Sequence, residues 1–458
     1  MKAVSSWSFR PYAEPHNLSR ARNPYICRLV PGEHSFMAAF FDNGAPDAAH
    51  RLHWRVRGEG EYQSADINGD TAQADSLAAD TDYELYISRA DDPEARSEIR
   101  LIHTGTVPGA VVNYLHPEDP AYAFSGRFLA SPSLVRLPSG RLVSSMDVHA
   151  SGGGENLTIL FYSEDDGTSW HYLTEIYPCF WGKLFLDGGK LYLMGMSRCN
   201  GDLLIGRSDN DGLDWGMPTV LLRSTCVYYQ MGLHRGPMPI LRHNGRLMTD
   251  IQYGSWDRKL FTDAVLSAPE GADLLDCKVW SLTDFWNPQQ HPEIPALSNG
   301  GIEGNLVAAP NGKVYDILRF GRKKPLVLEY DPSEPEGKLK NAQVIDMPIS
   351  DSKADILRDQ VSGRYYMLCS YALDEPKTNR NLLAMMMSDD LFHWELNRFV
   401  LDYRYLNPME VGFQYIDFIF DGDDILFICR TAFNHANNFH DSNYQTFHKV
   451  ENFRAKLK

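Results

Sequence analysis

The stretches SEDDGTSW (163–170) and SDNDGLDW (208–215) decide the fold. Each reads as a tight hairpin turn between two strands. Asp165 and Asn210 occupy the turn, where a side-chain oxygen accepts from backbone amides. Gly167 and Gly212 supply the positive φ that such a turn needs. Trp170 and Trp215 then plug the sheet. Replacing Asp by Asn keeps the acceptor oxygen and removes only the charge. SDDLFHW (388–394) is a shorter version that lacks the glycine.

Working outward, one plan recurs. SPSLVRLPSGRLVSSMD, WGKLFLDGGKLYLMGM, RGPMPILRHNGRLMTDIQY, EGNLVAAPNGKVYDILRF, KADILRDQVSGRYYMLCSY and FQYIDFIFDGDDILFICRTA all read strand, Gly turn, strand. Units of roughly 40–60 residues with this content suit one four-stranded sheet each, arranged radially as a β-propeller. The last unit shows only three evident strands. The apolar GAVVNYLH (109–116) is expected to add the fourth and remove a free sheet edge. Six blades are legible, and a seventh within poorly patterned sequence is the alternative. No long helical periodicity occurs, so the chain reads as all-β.

Residues 1–107 differ. LHWRVRGEGEYQSADI alternates apolar and polar in places, and SLAADTDYELYISRA is a turn entering a strand with Tyr83 and Leu85 on one face. Over about 60 residues this resembles the late strands of a fibronectin type III-like β-sandwich. The expected organisation is a sandwich at 1–107 followed by the propeller at 108–458.

The 458 residues carry 44 Lys plus Arg against 60 Asp plus Glu, a net charge of −16. That acidity argues against a nucleic-acid or anionic-membrane partner. The opening MKAVSSWSFRPYAEP lacks the apolar run of a secretion signal. The chain as given is expected in the cytoplasm, or in the periplasm or outside if a leader was removed. Seven cysteines (27, 179, 199, 226, 277, 369 and 429) show no CxxC spacing and read as buried thiols.

Propeller geometry gathers the start of each innermost strand and the exit of each second strand around the axis. Unit by unit, these positions hold Asp147 and His149, then Trp181, Lys183 and Arg198, then His234, Arg235 and Tyr253. The later units give Glu303, Asn305 and Arg319, then Lys353 and Tyr371, then Gln414, Tyr415 and Arg430. The polar run FNHANNFHDSNY follows, with His435 and His440. Six of these groups are cations in an acidic protein. A local positive funnel suits a small anionic ligand, and Arg matches a planar carboxylate.

The Ser-x-Asp-x-Gly-x-x-Trp turn is the Asp-box motif, and the Asp-box propeller resembles the sialidase superfamily. In such propellers these turns lie away from the ligand, which makes Asp165 and Asn210 structural. Sialidases hold the sugar carboxylate with three arginines, the first in a Phe/Tyr-Arg-Ile-Pro motif. The matching FLASPSLVRL keeps only Pro132, with Ser131 before it. A Tyr–Glu nucleophile pair does not stand out, although Tyr405 and Glu410 are close in sequence. A second resemblance covers most of 108–458. NYLHPED, PCFWGKLF, IEGN, VGFQYIDF and NFHDSNYQTFHKVENFR are similar to sialidase-like proteins of polysaccharide-utilisation systems. Their relatives include propeller lyases acting on ulvan and on rhamnosyl-glucuronate ends.

That resemblance implies β-elimination on a uronate glycan, and hence a carbon–oxygen lyase. The carboxylate must be neutralised, the α-proton removed and the leaving oxygen protonated. Arg198, Arg235, Arg319 and Asn305 are the expected neutralisers, His149 or His234 the base, and Tyr253 the acid. Trp181, Lys183, Glu303, Lys353, Tyr371, Arg430 and His435 are expected to bind the sugar. A glycoside hydrolase using Asp147 and Glu303 is the alternative, because hydrolysis needs two carboxyls flanking the bond. A glycan-binding propeller without activity is the third reading. The expected partner is an acidic oligosaccharide. No cofactor or metal is expected, with a structural Ca²⁺ on the axis as the alternative.

Overall fold

The computed structural model describes residues 6–150, 154–227, 230–295, 300–374 and 379–455. Almost all regular structure is antiparallel strand, with three short 3₁₀ turns. Among the described residues no helix is long and apolar enough to cross a membrane.

Six sheets follow one another along the chain, and each of the repeated units opens one of them. Sheet one contains Phe128–Arg136, Leu142–His149, Leu157–Ser163 and His171–Ile176 in spatial order. Sheet two runs from Phe180–Asp187 to Thr219–Leu222. In sheet three the innermost strand is split. Gly232–His234 and Leu241–His243 both pair with Arg246–Ser255, because Pro237 and Pro239 lie between them and lack donors. Sheets four and five begin with Ile302–Ala308 and Asp355–Arg358. In sheet six, Gly412–Asp421, Asp424–Ala432 and Tyr444–Val450 are completed by Ala110–Tyr114, which pairs with the last of these. The innermost strand of sheet one touches those of sheets two and six, so the series returns on itself.

The three Ser-x-Asp turns share one network. Ser163 Oγ donates to Asp165 Oδ1 (2.8 Å), and Asp165 Oδ1 accepts from the Ser169 amide (2.9 Å). Asn210 Oδ1 accepts equivalently from Ser208 Oγ (3.0 Å) and the Asp214 amide (2.9 Å). Each tryptophan closes its turn, Trp170 Nε1 on the Gly167 carbonyl and Trp215 Nε1 on that of Gly212. In the shortened turn Trp394 Nε1 bonds the Leu391 carbonyl (2.8 Å), and Leu391 itself takes φ +76°. Burial of the Leu391 side chain holds that unfavourable conformation in place of glycine.

Two further sheets lie N-terminal to these. Tyr25–Pro31, Ser35–Phe41 and Thr71–Asp75 form one; Gln63–Ile67, His50–Val56, Asp82–Arg89 and Arg100–His103 form the other. Leu29, Phe36, Leu52, Tyr83, Leu85 and Ile102 from both share one core. The Tyr83 hydroxyl accepts from the Ala78 amide (2.9 Å). Residues 8–9, grouped by the sequence reading with the N-terminal unit, pair instead with His171–Ile176 at the edge of sheet one. Trp7 explains the difference. It is buried edge-on against Trp215, and its Nε1 bonds the Pro178 carbonyl. All seven cysteines are free thiols.

Asp165→Ala is expected to lower stability by about 1–2 kcal/mol through loss of the turn acceptor, read as a shifted urea midpoint with activity intact. Asn210→Asp should leave the midpoint within about 0.5 kcal/mol.

Candidate functional site

The innermost strands of sheets one, two, four and six carry the same defect. The register shifts between Ala130 and Ser133, Phe180 and Lys183, Ile302 and Asn305, and Gln414 and Asp417. Inside each bulge one residue has positive φ: Ser131 (+46°), Trp181 (+54°), Glu303 (+55°) and Tyr415 (+54°). A bulge adds a residue and re-aims a side chain. Here Trp181, Glu303 and Tyr415 all face one cavity of about 290 Å³. Ala130, His149, Glu155, Cys199, His234, Trp256, Arg319, Arg380, Arg430 and His440 complete its wall.

Neighbouring sheets hold the bulges in place. Asp147 on sheet one accepts from the Trp181 amide (2.7 Å) and from Thr158 Oγ1 (2.5 Å). Asp250 on sheet three accepts from the Gly304 amide (2.8 Å). Gly304 must be glycine, since a Cβ there would come within 2.1 Å of Asp316 Oδ1. Burial pushes the Asp147 and Asp250 carboxyls up from their ordinary range.

Tyr415 is the centre of the cavity's chemistry. Its hydroxyl donates to Glu303 Oε1 at 2.6 Å. Arg319 Nη1 reaches Glu303 Oε2 (3.1 Å) and the Tyr415 hydroxyl (3.3 Å), while Arg319 Nε bonds Asp351 (2.7 Å). The guanidinium carbons of Arg430 and Arg380 stand 5.1 and 5.9 Å from the Tyr415 ring centre. Burial, then Glu303, push the Tyr415 phenol up to about 12 against the opposing arginines. Burial would raise Glu303, but Arg319 and the Tyr415 hydrogen bond outweigh it and hold the carboxylate ionised.

Arg380 and Arg430 are buried and have no carboxylate in ion-pair contact among the described residues. Arg380 donates to Gln414 Oε1 and to the Asp351 carbonyl. Arg430 donates to the His440 carbonyl, and its Nε has no partner. Burial pulls Arg380 down to about 10 and lowers Arg430 as well. Two buried guanidiniums without counter-ions are an open invitation to an anion. Next to His440, the partner of Arg430, His149 Nδ1 meets Glu155 Oε1 at 2.8 Å, and the His149 ring stands 5.5 Å from that of His440.

Of the residues expected at the site, His149, His234, Trp181, Glu303, Arg319 and Arg430 line the cavity. His234 is buried against Trp181, with ring centres 4.3 Å apart, and its Nδ1 lies 3.4 Å from Gln252 Oε1. The other eight lie elsewhere. Tyr253 alternates with Gln252 on its strand and packs towards Phe285 on the far face. Arg198 precedes the wall residue Cys199 without joining the wall. Arg235 is fully buried on Thr249 Oγ1 and the Met238 carbonyl. Lys183 is bound to Asp417 (2.5 and 2.6 Å), and Lys353 to Asp355 (2.7 Å) and the Ile416 carbonyl. Asn305 links the Ala354 carbonyl and the Ile356 amide of the next sheet. Tyr371 packs on Phe399. His435 stands apart, beside Asp80 of the N-terminal sheets. Asp147 supports the Trp181 bulge and does not reach the cavity, so the expected Asp147–Glu303 pairing across it does not form.

Sequence reasoning missed Arg380, Glu155 and the Tyr415–Glu303 pair. Arg380 sits on an irregular segment with no periodicity to betray it, bridged only to Gly412. Tyr415 and Glu303 are 112 residues apart in sequence, and only closure of the ring joins them.

No family model matches the chain, and no curated protein matches it. Solved structures do. A leech intramolecular trans-sialidase complexed with 2,7-anhydro-Neu5Ac aligns over 95% of this chain and 93% of its own at TM-score 0.54 and 10% identity. The intramolecular trans-sialidase of Ruminococcus gnavus covers 77% of this chain and 100% of its own at TM-score 0.52 and 12% identity. A polysaccharide lyase 25 ulvan lyase covers 98% and 94% at TM-score 0.42 and 12% identity. At such identities the first two likenesses show the fold alone: all-β and propeller-like.

Burial lowers His234 to about 4 from an ordinary 6.5. The unfolded chain therefore takes up this proton first. The stabilisation is complete above pH 6.5 and is lost as pH falls through about 4, by up to about 3 kcal/mol. Urea titrations from pH 7 to 4 should show this decline, and His234→Gln should flatten it.

Proposed function

We propose that the chain is a glycan-processing enzyme that binds the carboxylate of an acidic sugar through Arg380 and Arg430 and uses Tyr415 as its nucleophile. On this reading residues 108–458 form a six-bladed propeller, and the preceding sheets form a fibronectin III-like sandwich ending near residue 107. The observation that carries the proposal is the Tyr415 hydroxyl bonded to Glu303 at 2.6 Å, flanked by two buried guanidiniums without counter-ions.

The chemistry follows from charge. A carboxylate nucleophile would be repelled by the substrate's own carboxylate, whereas a neutral phenol is not. Glu303 takes the phenol proton as the Tyr415 oxygen bonds the anomeric carbon. His149, oriented by Glu155, gives a proton to the departing glycosidic oxygen. In the second half, His149 removes a proton from water, or from an acceptor hydroxyl, which attacks the anomeric carbon. The tyrosyl bond breaks, and the phenolate recovers its proton from Glu303. Two displacements retain the anomeric configuration. Every step uses side chains of the chain itself and needs no cofactor. A sialic-acid-like sugar, whose carboxylate adjoins the anomeric carbon, fits this layout best, in keeping with the sialyl ligand named for the leech neighbour.

Elimination on a uronate glycan is the second reading. The His149–Glu155 pair favours it, since a carboxylate-oriented imidazole beside a cationic carboxylate site can remove an α-proton. Tyr415 would then be the acid. Its high pKa and its bond to Glu303 count against that role, because the phenolate would form beside a carboxylate.

The test is incubation with 3′-sialyllactose and with ulvan and gum arabic oligosaccharides. Released acidic sugar without new ultraviolet absorbance supports the leading reading, and an absorbing unsaturated uronate replaces it with the second. Tyr415→Phe should lower kcat by about 10³-fold or more. Arg380→Ala or Arg430→Ala should raise KM about 10–100-fold, the worth of a charged hydrogen bond. A fluorinated acidic sugar should label Tyr415, read by mass spectrometry of the peptide.

A further inference from the structure

His435 fell outside the cavity, and its surroundings have a chemistry of their own. Asp80 Oδ1 lies 3.0 Å from His435 Nε2 and 3.1 Å from His103 Nε2. The two imidazole centres are 4.5 Å apart. His103 ends the strand Arg100–His103 of the N-terminal sheets, Asp80 lies just before the strand Asp82–Arg89 of the same sheet, and His435 belongs to the loop after Asp424–Ala432. The three surround the edge of an open hollow of about 530 Å³.

We propose that Asp80, His103 and His435 bind a divalent transition-metal ion of the zinc type, which pins the N-terminal sheets to this loop. Two arguments carry it. Both imidazole nitrogens stand at 3.0 and 3.1 Å from Asp80 Oδ1, close to the about 3.3 Å that bonds of about 2.0–2.1 Å to a tetrahedral ion give, and all three atoms lie within 4.8 Å of one another. A carboxylate orients the buried imidazole from behind, since His103 Nδ1 meets Asp82 Oδ1 at 2.7 Å. This outer hydrogen bond is the usual support of a metal-bound histidine and leaves Nε2 for the ion. Asp82 also meets His116 Nε2 at 3.2 Å, which fixes its own position.

The hollow that Asp80, His103 and His435 line leaves room for water as a further ligand. Arg57, the nearby cation, is engaged by Glu118 and Asp82. His149, His440 and Asp441 make a second cluster of suitable atoms, but Arg430 Nη2 stands 3.3 Å from His440 Nδ1 and repels a cation there. The loop that carries His435 also carries His440 of the cavity wall, so the ion would steady one side of that wall. This proposal does not depend on the reaction assigned to the cavity.

The test is calorimetric titration of the chelator-treated full chain with Zn²⁺, with Co²⁺ as a spectroscopic probe. The wild type is expected to bind one ion per chain, to melt higher with Zn²⁺, and to give the intense visible bands of tetrahedral cobalt. His435→Ala and Asp80→Ala alter exposed side chains and should fold normally, as circular dichroism would check. They should bind at least tenfold more weakly and lose both the cobalt bands and the melting shift. Absence of binding to the wild type overturns the proposal. So does undiminished binding by His435→Ala, or a loss seen with His440→Ala but not with His435→Ala.

Discussion

The site depends on one constraint: left-handed backbone at the start of an innermost strand, held there by the sheet next door. Trp181, Glu303 and Tyr415 each sit at positive φ, a conformation that costs a non-glycine residue about 1–3 kcal/mol. A straight strand would turn alternate side chains into the sheet packing. The bulge turns one extra side chain towards the axis. Asp147 and Asp250 hold the bulges of the following sheets through backbone amides. Ser370 does likewise for sheet six through the Phe413 carbonyl (3.0 Å). The strain of the site is thus borne by contacts between sheets rather than within them.

Beneath the cavity the same logic wires the ring together. Asp417 of sheet six accepts from Ser133 and Leu134 of sheet one and from Lys183 of sheet two. Lys353 joins Asp355 to the Ile416 carbonyl of sheet six, and Asn305 joins sheet four to sheet five. Burial would raise Asp417, but Lys183 and Lys353 outweigh it and hold it ionised. The cations near the axis therefore divide by partner. Lys183 and Lys353 are neutralised by carboxylates and tie neighbouring sheets together. Arg380 and Arg430 donate to neutral acceptors and meet no carboxylate in ion-pair contact among the described residues.

Ala130 lines the cavity beside the bulge of sheet one, where its methyl group leaves that part of the wall uncharged. Arg430, from the second strand of sheet six, approaches Tyr415. Arg319, Arg380 and Arg430 are the arginines that line the cavity among the described residues.

The fold-determining patterns are local, and the sequence by itself determined them. The Ser-x-Asp turns are closed by bonds spanning at most four residues, and strand–Gly turn–strand units are set by alternation and by φ > 0 at glycine. The rule that inner-strand starts and second-strand exits face the axis also found His149, His234, Trp181, Glu303, Arg319 and Arg430. It failed for Lys183 and Asn305, because they follow bulges that residue type does not reveal; Tyr253 falls on the other face of its strand from Gln252, and Lys353 is bound to Asp355 and the Ile416 carbonyl. Arg380 and Glu155 lie on irregular segments and gave no pattern at all. Only the tertiary structure decided which cation met a carboxylate, which tyrosine met Glu303, and that His435 faces Asp80. Each of these contacts joins residues far apart in the chain, and their energy depends on distance and burial, which exist only once the ring has closed.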